Sequence, residues 1–136
     1  MHSLPSLTPS SPSILGLGLD MVEIDRIRQL HIKHGKLFLE RIFSPEERGY
    51  CLSLKNPYPS LAARFAAKEA ASKAFSTGIG KAFSWQSAFV YKGPQGEPLL
   101  GFDAKGQHLL HALGATKAFI SLSHTKTFAQ AIVILS

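Results

Sequence analysis

The chain has 136 residues, enough for one domain with a sizeable core. Its hydrophobic fraction of 45% is ordinary for a water-facing globular protein, and no run reaches the roughly 18 apolar residues that a membrane helix needs. Fifteen Lys and Arg against nine Asp and Glu leave a net charge of +6, which either serves solubility or favours an anionic partner: a phosphorylated ligand, an acidic protein or a nucleic acid.

The first thirteen residues, MHSLPSLTPSSPS, hold five Ser and three Pro and have neither a basic start nor a long apolar stretch. They read as a flexible leader rather than a signal peptide, with one domain over residues 14–136. Ile14 to Ile24 reads as a buried strand interrupted by Gly16 and Gly18 and carrying Asp20 and Glu23. Arg26 to Ile42 has helical apolar spacing with a break at Gly35, and its outer surface is basic: Arg26, Arg28, Lys33, Lys36 and Arg41 against Glu40. Ser44-Pro45-Glu46-Glu47 is a helix start with a capping box, and that helix runs to about Leu54. It contains Cys51, the single cysteine, which excludes an internal disulfide, suits a reducing cytoplasm and reads as a packed thiol. Tyr58-Pro59-Ser60 introduces the Ala-rich helix Leu61 to Phe75. Beyond it come a loop, a strand over Ser84 to Tyr91, a turn at Gly93 to Gly96 and a strand over Pro98 to Leu100. Asp103 caps a helix ending at Gly114, and Lys117 to Ser123 and Phe128 to Leu135 are two further strands. The pattern is α+β, with a largely antiparallel sheet packed against helices.

Two phosphate-binding signatures are absent. Gly16-Leu17-Gly18 lacks the third glycine of a dinucleotide fingerprint, because Met21 stands there, and Gly80-Lys81 lacks the rest of a Walker loop. The chemical candidates are carboxylates. On the Ala-rich helix, Glu69 projects among Ala62, Phe65 and Ala66, with Lys73 one turn later at about 40°. The plain reading is an i,i+4 surface pair. Small neighbours, however, let another element approach closely, where an unpaired carboxylate is costly. Asp20 ends an apolar strand, and one carboxylate from a strand and one from a helix suffice for Mg²⁺, whose other positions go to water and phosphate.

Taken together, GLGLDMVEIDRI (Gly16 to Ile27), RIFSPEE (Arg41 to Glu47), RFAAKEAASKAF (Arg64 to Phe75), TGIG (Thr77 to Gly80), GEPLL (Gly96 to Leu100) and SLSH (Ser121 to His124) resemble the small bacterial holo-acyl-carrier-protein synthases. That resemblance implies the 4′-phosphopantetheinyl transferase fold and a cytoplasmic homotrimer with sites at subunit interfaces. It also implies Mg²⁺-dependent transfer of phosphopantetheine from coenzyme A to a serine of acyl carrier protein, in the service of fatty acid biosynthesis. By the same resemblance Asp20 and Glu69 hold Mg²⁺, and Lys73 and the Gly78 loop meet the pyrophosphate. Arg64 and His124 then lie near the adenosine 3′-phosphate, and Arg26 meets the acidic carrier. The chain departs from the family pattern at Ser76, where glycine is usual, at Ala63 and at Phe89. A basic nucleic-acid-binding module is the rival from another class, disfavoured by the lack of an RNA-binding aromatic signature. A catalytically dead scaffold of the same fold is disfavoured by Asp20, Glu69 and Lys73. Neither a nucleic acid nor a membrane is expected as a partner.

Overall fold

The computed structural model describes residues 13–136, so the leader expected over residues 1–13 lies, apart from Ser13, outside the described residues. The elements in chain order are β1 (Gly16–Glu23), α1 (Ile24–His34), α2 (Lys36–Ile42), α3 (Pro45–Leu52), α4 (Tyr58–Ala74), β2 (Ala88–Lys92), β3 (Pro98–Phe102), α5 (Ala104–Leu113), β4 (Ala118–His124) and β5 (Phe128–Leu135). They form two antiparallel sheets, a three-stranded one in the order β1-β5-β4 and a two-stranded hairpin β2-β3. The α+β class and the antiparallel pairing are as the sequence predicts.

Local signals account for most boundaries. Gly35, at φ +60, ends α1 and lets α2 start in a new direction, a conformation that an L side chain adopts at a cost. Ser44 and Glu47 form the expected reciprocal capping box of α3. Asp103 caps α5, which closes on Gly114 in the left-handed region. Of the boundaries that differ from the sequence reading, two have a plain local cause. The long helix begins at Tyr58, three residues before Leu61, because Pro59 sits in its first turn, where a missing N–H costs nothing. The strand expected from Ser84 begins only at Ala88, because the Ser84 N–H donates to Ser87 Oγ and folds Ser84 to Ser87 into a turn.

The core centres on α4, which lies across β1 and β5. Its Ala62, Ala66, Ala67, Ala70 and Ala71 are buried, and Phe43, Leu61, Val133 and Leu135 close the space around it. The two glycines of β1 explain how closely helix and strand approach. A Cβ on Gly18 would stand 1.8 Å from the Ala70 carbonyl oxygen, and one on Gly16 would stand 2.3 Å from that of Ala74. Small residues on both elements therefore seat the helix backbone directly on the strand. The opposite face of this sheet carries Leu17, Leu19 and Met21 of β1, each 59% exposed, and Phe119 of β4 at 53%. Their register partners on β5 are Ile134, Ile132 and Gln130, so the bare face is a contiguous apolar patch.

Candidate active site

Alternation along β1 puts Asp20 on the same face as Gly16 and Gly18, under α4. The close seam described above is what brings Asp20 to the turn of α4 that carries Glu69 and Lys73. Lys73 Nζ donates to Asp20 Oδ1 at 2.8 Å and to the Leu19 carbonyl oxygen at 3.1 Å. Its ion-pair partner is thus on the strand, and the i,i+4 surface pair with Glu69 gives way to a tertiary contact. Burial first, and then the neighbouring Asp20 charge, push the Glu69 carboxyl above the ordinary glutamate range, while Arg26 and Lys73 oppose the shift. Two carboxylates therefore face one another with one half-exposed ammonium between strand and helix. The arrangement is short of positive charge on its Glu69 side, and removing a proton from Glu69 increases that deficit.

The adjacent residue, Lys68, has the opposite surroundings. It is fully buried, and its three donors meet Glu47 Oε1 at 2.9 Å, the Trp85 carbonyl at 3.0 Å and the Ala88 carbonyl at 2.7 Å. Glu47 is equally buried, and its other oxygen accepts the Val90 N–H at 2.9 Å. Burial pulls the Lys68 ammonium below the usual lysine range, and the Glu47 carboxylate holds it up. The sequence does not single out Lys68, because Glu47, Trp85 and Ala88 lie outside the reach of any local spacing rule.

Arg64 does not join the Asp20–Glu69–Lys73 group within one chain. It projects from α4 into a separate cleft of about 210 Å³ between α3 and β2, lined also by Glu46, Tyr50 and Lys92. Its guanidinium carbon lies 4.8 Å from the Tyr50 ring centroid, its Nη1 donates to the Ser60 carbonyl at 3.4 Å, and its buried Nε has no partner. Lys92, which the sequence does not mark, stands 4.0 Å from the same ring. Two cations thus converge on Tyr50, and a buried donor is left over for an anion. His124 is exposed at the end of β4, with Nδ1 3.3 Å from the Thr125 carbonyl oxygen. Gly78 follows α4 at φ +65, with its N–H on the Ser72 carbonyl. Ser76, the departure from glycine, is itself at φ +62. Cys51 is buried on α3, and desolvation raises its thiol to about 11, as expected of a packing residue rather than a nucleophile.

Arg26 lies on α1 with its guanidinium 5.8 Å from the Phe65 ring centroid, and Phe65 stacks on Trp85 at 4.7 Å. These residues open onto a cavity of about 430 Å³ bounded by Leu30 and His34 of α1 and by Leu37, Phe38, Arg41 and Ile42 of α2. Its floor is apolar and its rim is basic.

The family model of the 4′-phosphopantetheinyl transferase superfamily matches residues 16–132. The holo-[acyl-carrier-protein] synthase of Chlamydia trachomatis is 43% identical over 121 residues, covering 89% of this chain and 98% of that protein. Among solved structures, the Neisseria meningitidis holo-[acyl-carrier-protein] synthase superposes with a TM-score of 0.84 at 33% identity, covering 91% of this chain and 99% of that one. The Helicobacter pylori enzyme in complex with coenzyme A superposes at 0.78 with 35% identity, covering 88% and 99%. The seam of β1 and α4, with its two carboxylates and lysine, runs through the matched region, and the chain belongs to the 4′-phosphopantetheinyl transferase superfamily, among the holo-[acyl-carrier-protein] synthases.

Proposed function

We propose that this chain moves the 4′-phosphopantetheine group from coenzyme A to a serine of apo acyl carrier protein, and that Asp20, Glu69 and Lys73 form its reaction centre. The observation that carries this reading is the convergence of two carboxylates and an ammonium where α4 sits on β1. Among the described residues no cluster of three or more His, Cys, Asp and Glu forms. A site of two carboxylates suits a hard, hydrated cation such as Mg²⁺, which keeps its remaining positions for water and phosphate oxygens. Asp20 and Glu69 would hold Mg²⁺, which would supply neutralising charge to the pyrophosphate.

The serine oxygen forms a bond to the phosphorus that bears pantetheine, the pyrophosphate P–O bond breaks so that adenosine 3′,5′-bisphosphate leaves, and the serine's proton passes to the surrounding water. Lys73 holds the pyrophosphate and offsets charge on the leaving group, while the Gly78 loop lies against it. The partnerless Nε of Arg64, with Lys92 beside it, suits the 3′-phosphate, and His124 serves the same end of the donor.

Arg64 lines a cleft to which Asp20, Glu69 and Lys73 do not contribute, and the bare apolar face of β1, β5 and β4 is available for burial. Both features support a homotrimer in which one copy's donor-binding residues complete a neighbour's reaction centre. The cavity beside Arg26, with its basic rim, suits an acidic helix of the carrier that presents an apolar side chain. No helix among the described residues is long and apolar enough to cross a membrane, and the lone buried thiol suits the cytoplasm. The reaction is tested by intact mass of apo acyl carrier protein incubated with the enzyme and coenzyme A, with and without Mg²⁺. A gain of one phosphopantetheine unit that requires the metal is expected. No gain under any metal condition would overturn the reading.

A further inference from the structure

The cavity beside Arg26 has two walls on different helices and a floor on a third. Arg26 and Leu30 come from α1, Phe38 and Arg41 from α2, and Phe65 from α4; Trp85 comes from the turn before β2. Nothing in the sequence joins the Trp85 turn to α2, yet the cavity exists only while both hold their places.

Two side chains fix that turn. Gln86 Nε2 lies 3.1 Å from the Glu40 carbonyl, 3.4 Å from that of Arg41 and 3.0 Å from that of Phe43. The carbonyls of Glu40 and Arg41 belong to the last turn of α2 and have no partner within the helix, so the Gln86 amide caps the end of α2 from outside. On the other side, Lys68 donates to the carbonyls of Trp85 and Ala88, the residues that bracket Gln86 and Ser87. One short turn is therefore held to α4 by the ammonium and to α2 by the amide. Its aromatic ring lies on Phe65 between them.

We propose that Gln86 is a positioning residue for carrier recognition: by capping α2 while Lys68 anchors the turn to α4, it sets the distance between the wall that carries Arg41 and the floor made by Trp85. The inference rests on the reading above that the carrier docks beside Arg26. Gln86 donates no group to the reacting atoms. Its loss should loosen the cavity and leave the Lys73–Asp20 contact of the seam as it is.

The test is steady-state kinetics of Gln86→Met, which keeps length and loses the donor, with Lys68→Met as the second variant and Arg26→Glu in parallel. Gln86→Met is expected to raise the KM for acyl carrier protein about three- to tenfold, the range set by losing a side-chain hydrogen bond. The kcat at saturating carrier and the KM for coenzyme A should stay within about twofold by the same reasoning. Trp85 is the only tryptophan, and its emission should shift to longer wavelength in both variants as the turn loosens. If Arg26→Glu raises the carrier KM while Gln86→Met leaves both it and the emission unchanged, the clamp is wrong and the docking surface stands. A fall in kcat that follows the folded fraction, with no change in carrier KM, also overturns it, since that is all a purely structural residue would do. If Arg26→Glu leaves the carrier KM untouched, the docking surface itself is wrong and the clamp falls with it.

Discussion

Lys68 and Glu69 are neighbours on one helix, and the protein treats their charges in opposite ways. The Lys68 ammonium is wholly buried and meets one carboxylate and two carbonyls, so each of its protons has an acceptor. The Glu69 carboxylate is partly desolvated and faces another carboxylate, and Arg26 and the half-exposed Lys73 offset this only in part. A rotation of about 100° around the helix axis separates the two environments. On the Lys68 side the charge ties α4 to α3 and to the start of β2, and nothing is left for a ligand. On the Glu69 side the missing positive charge is an invitation to a cation and to the phosphates it carries. Completed electrostatics hold a fold together, whereas a deliberate shortfall marks where chemistry takes place.

The contrast is broken most directly at position 69. Glu69→Gln keeps the size and removes the charge, and transfer is expected to fall about 10³-fold or more at saturating coenzyme A and Mg²⁺. The same change should raise the Tm of the metal-free protein at neutral pH. The sign follows from the raised carboxyl: its ionised form is worse off in the folded chain than in the unfolded one, and the amide never ionises. As pH falls through the folded Glu69 value the wild-type residue takes up a proton, and the variant's advantage should fade. Near-normal turnover, or a variant less stable than wild type at pH 7 without metal, would remove Glu69 from the proposed role.

Position 68 should give the reverse. Lys68→Met leaves the Glu47 carboxylate buried without its counter-charge, which typically costs about 3–5 kcal/mol. Chemical denaturation should therefore show a large drop in midpoint. The kcat of whatever remains folded should be far closer to wild type than that of Glu69→Gln. Loss of activity of the same order in both variants, with little change in stability at position 68, would mean that the two lysine-carboxylate groups work as one site.

A smaller effect tests how the two carboxylates come to meet. Gly18→Ala introduces a Cβ against backbone atoms of Ala70 and Ala74, which cannot move aside as a side chain could. A destabilisation of about 1–3 kcal/mol is expected from overpacking of this kind. The half-saturating Mg²⁺ concentration should rise as α4 lifts from β1 and carries Glu69 away from Asp20. A stable variant with unchanged metal dependence would show that the seam does not set the geometry of the site.

Much of this was legible in the sequence because it is written locally. The capping box at Ser44 and Glu47, the stop at Gly114 and the break at Gly35 depend on side chains a few residues apart, and all three stand as read. Asp20, Glu69 and Lys73 could be named as candidates, yet their meeting depends on a strand and a helix 50 residues apart in the chain, brought together through Gly18 and Ala70. The glycines looked like a failed nucleotide fingerprint, and their role as a seat for the helix backbone appears only with the tertiary contact. Lys68 and Gln86 were missed for the same reason. Their partners are backbone carbonyls and a carboxylate 17 to 46 positions away, and no spacing rule reports those. Arg64 is a candidate in the sequence, but its separate cleft with Tyr50 and Lys92 follows from the packing of α3 on α4.

The smallest expected effect concerns Ser76, which carries no charge and so isolates backbone geometry from the electrostatics of positions 68 and 69. It follows α4 in the left-handed region, at φ +62, where an L side chain costs about 1 kcal/mol and glycine costs little. The residues beyond it are held by N–H bonds from Thr77 and Gly78 to the Ser72 carbonyl, so the loop is tied back to the helix whatever stands at position 76. Ser76→Gly relieves the strain in the folded chain but also frees the unfolded one, and the two terms oppose each other. A net stabilisation of about 0.5 kcal/mol is therefore expected, read as a higher urea midpoint with an unchanged slope. Turnover should be unaltered, because the loop keeps its ties and neither carboxylate moves. A variant that loses stability would mean that the serine supports this turn in its own right, and one that gains turnover would mean that the loop beside Gly78 limits the reaction.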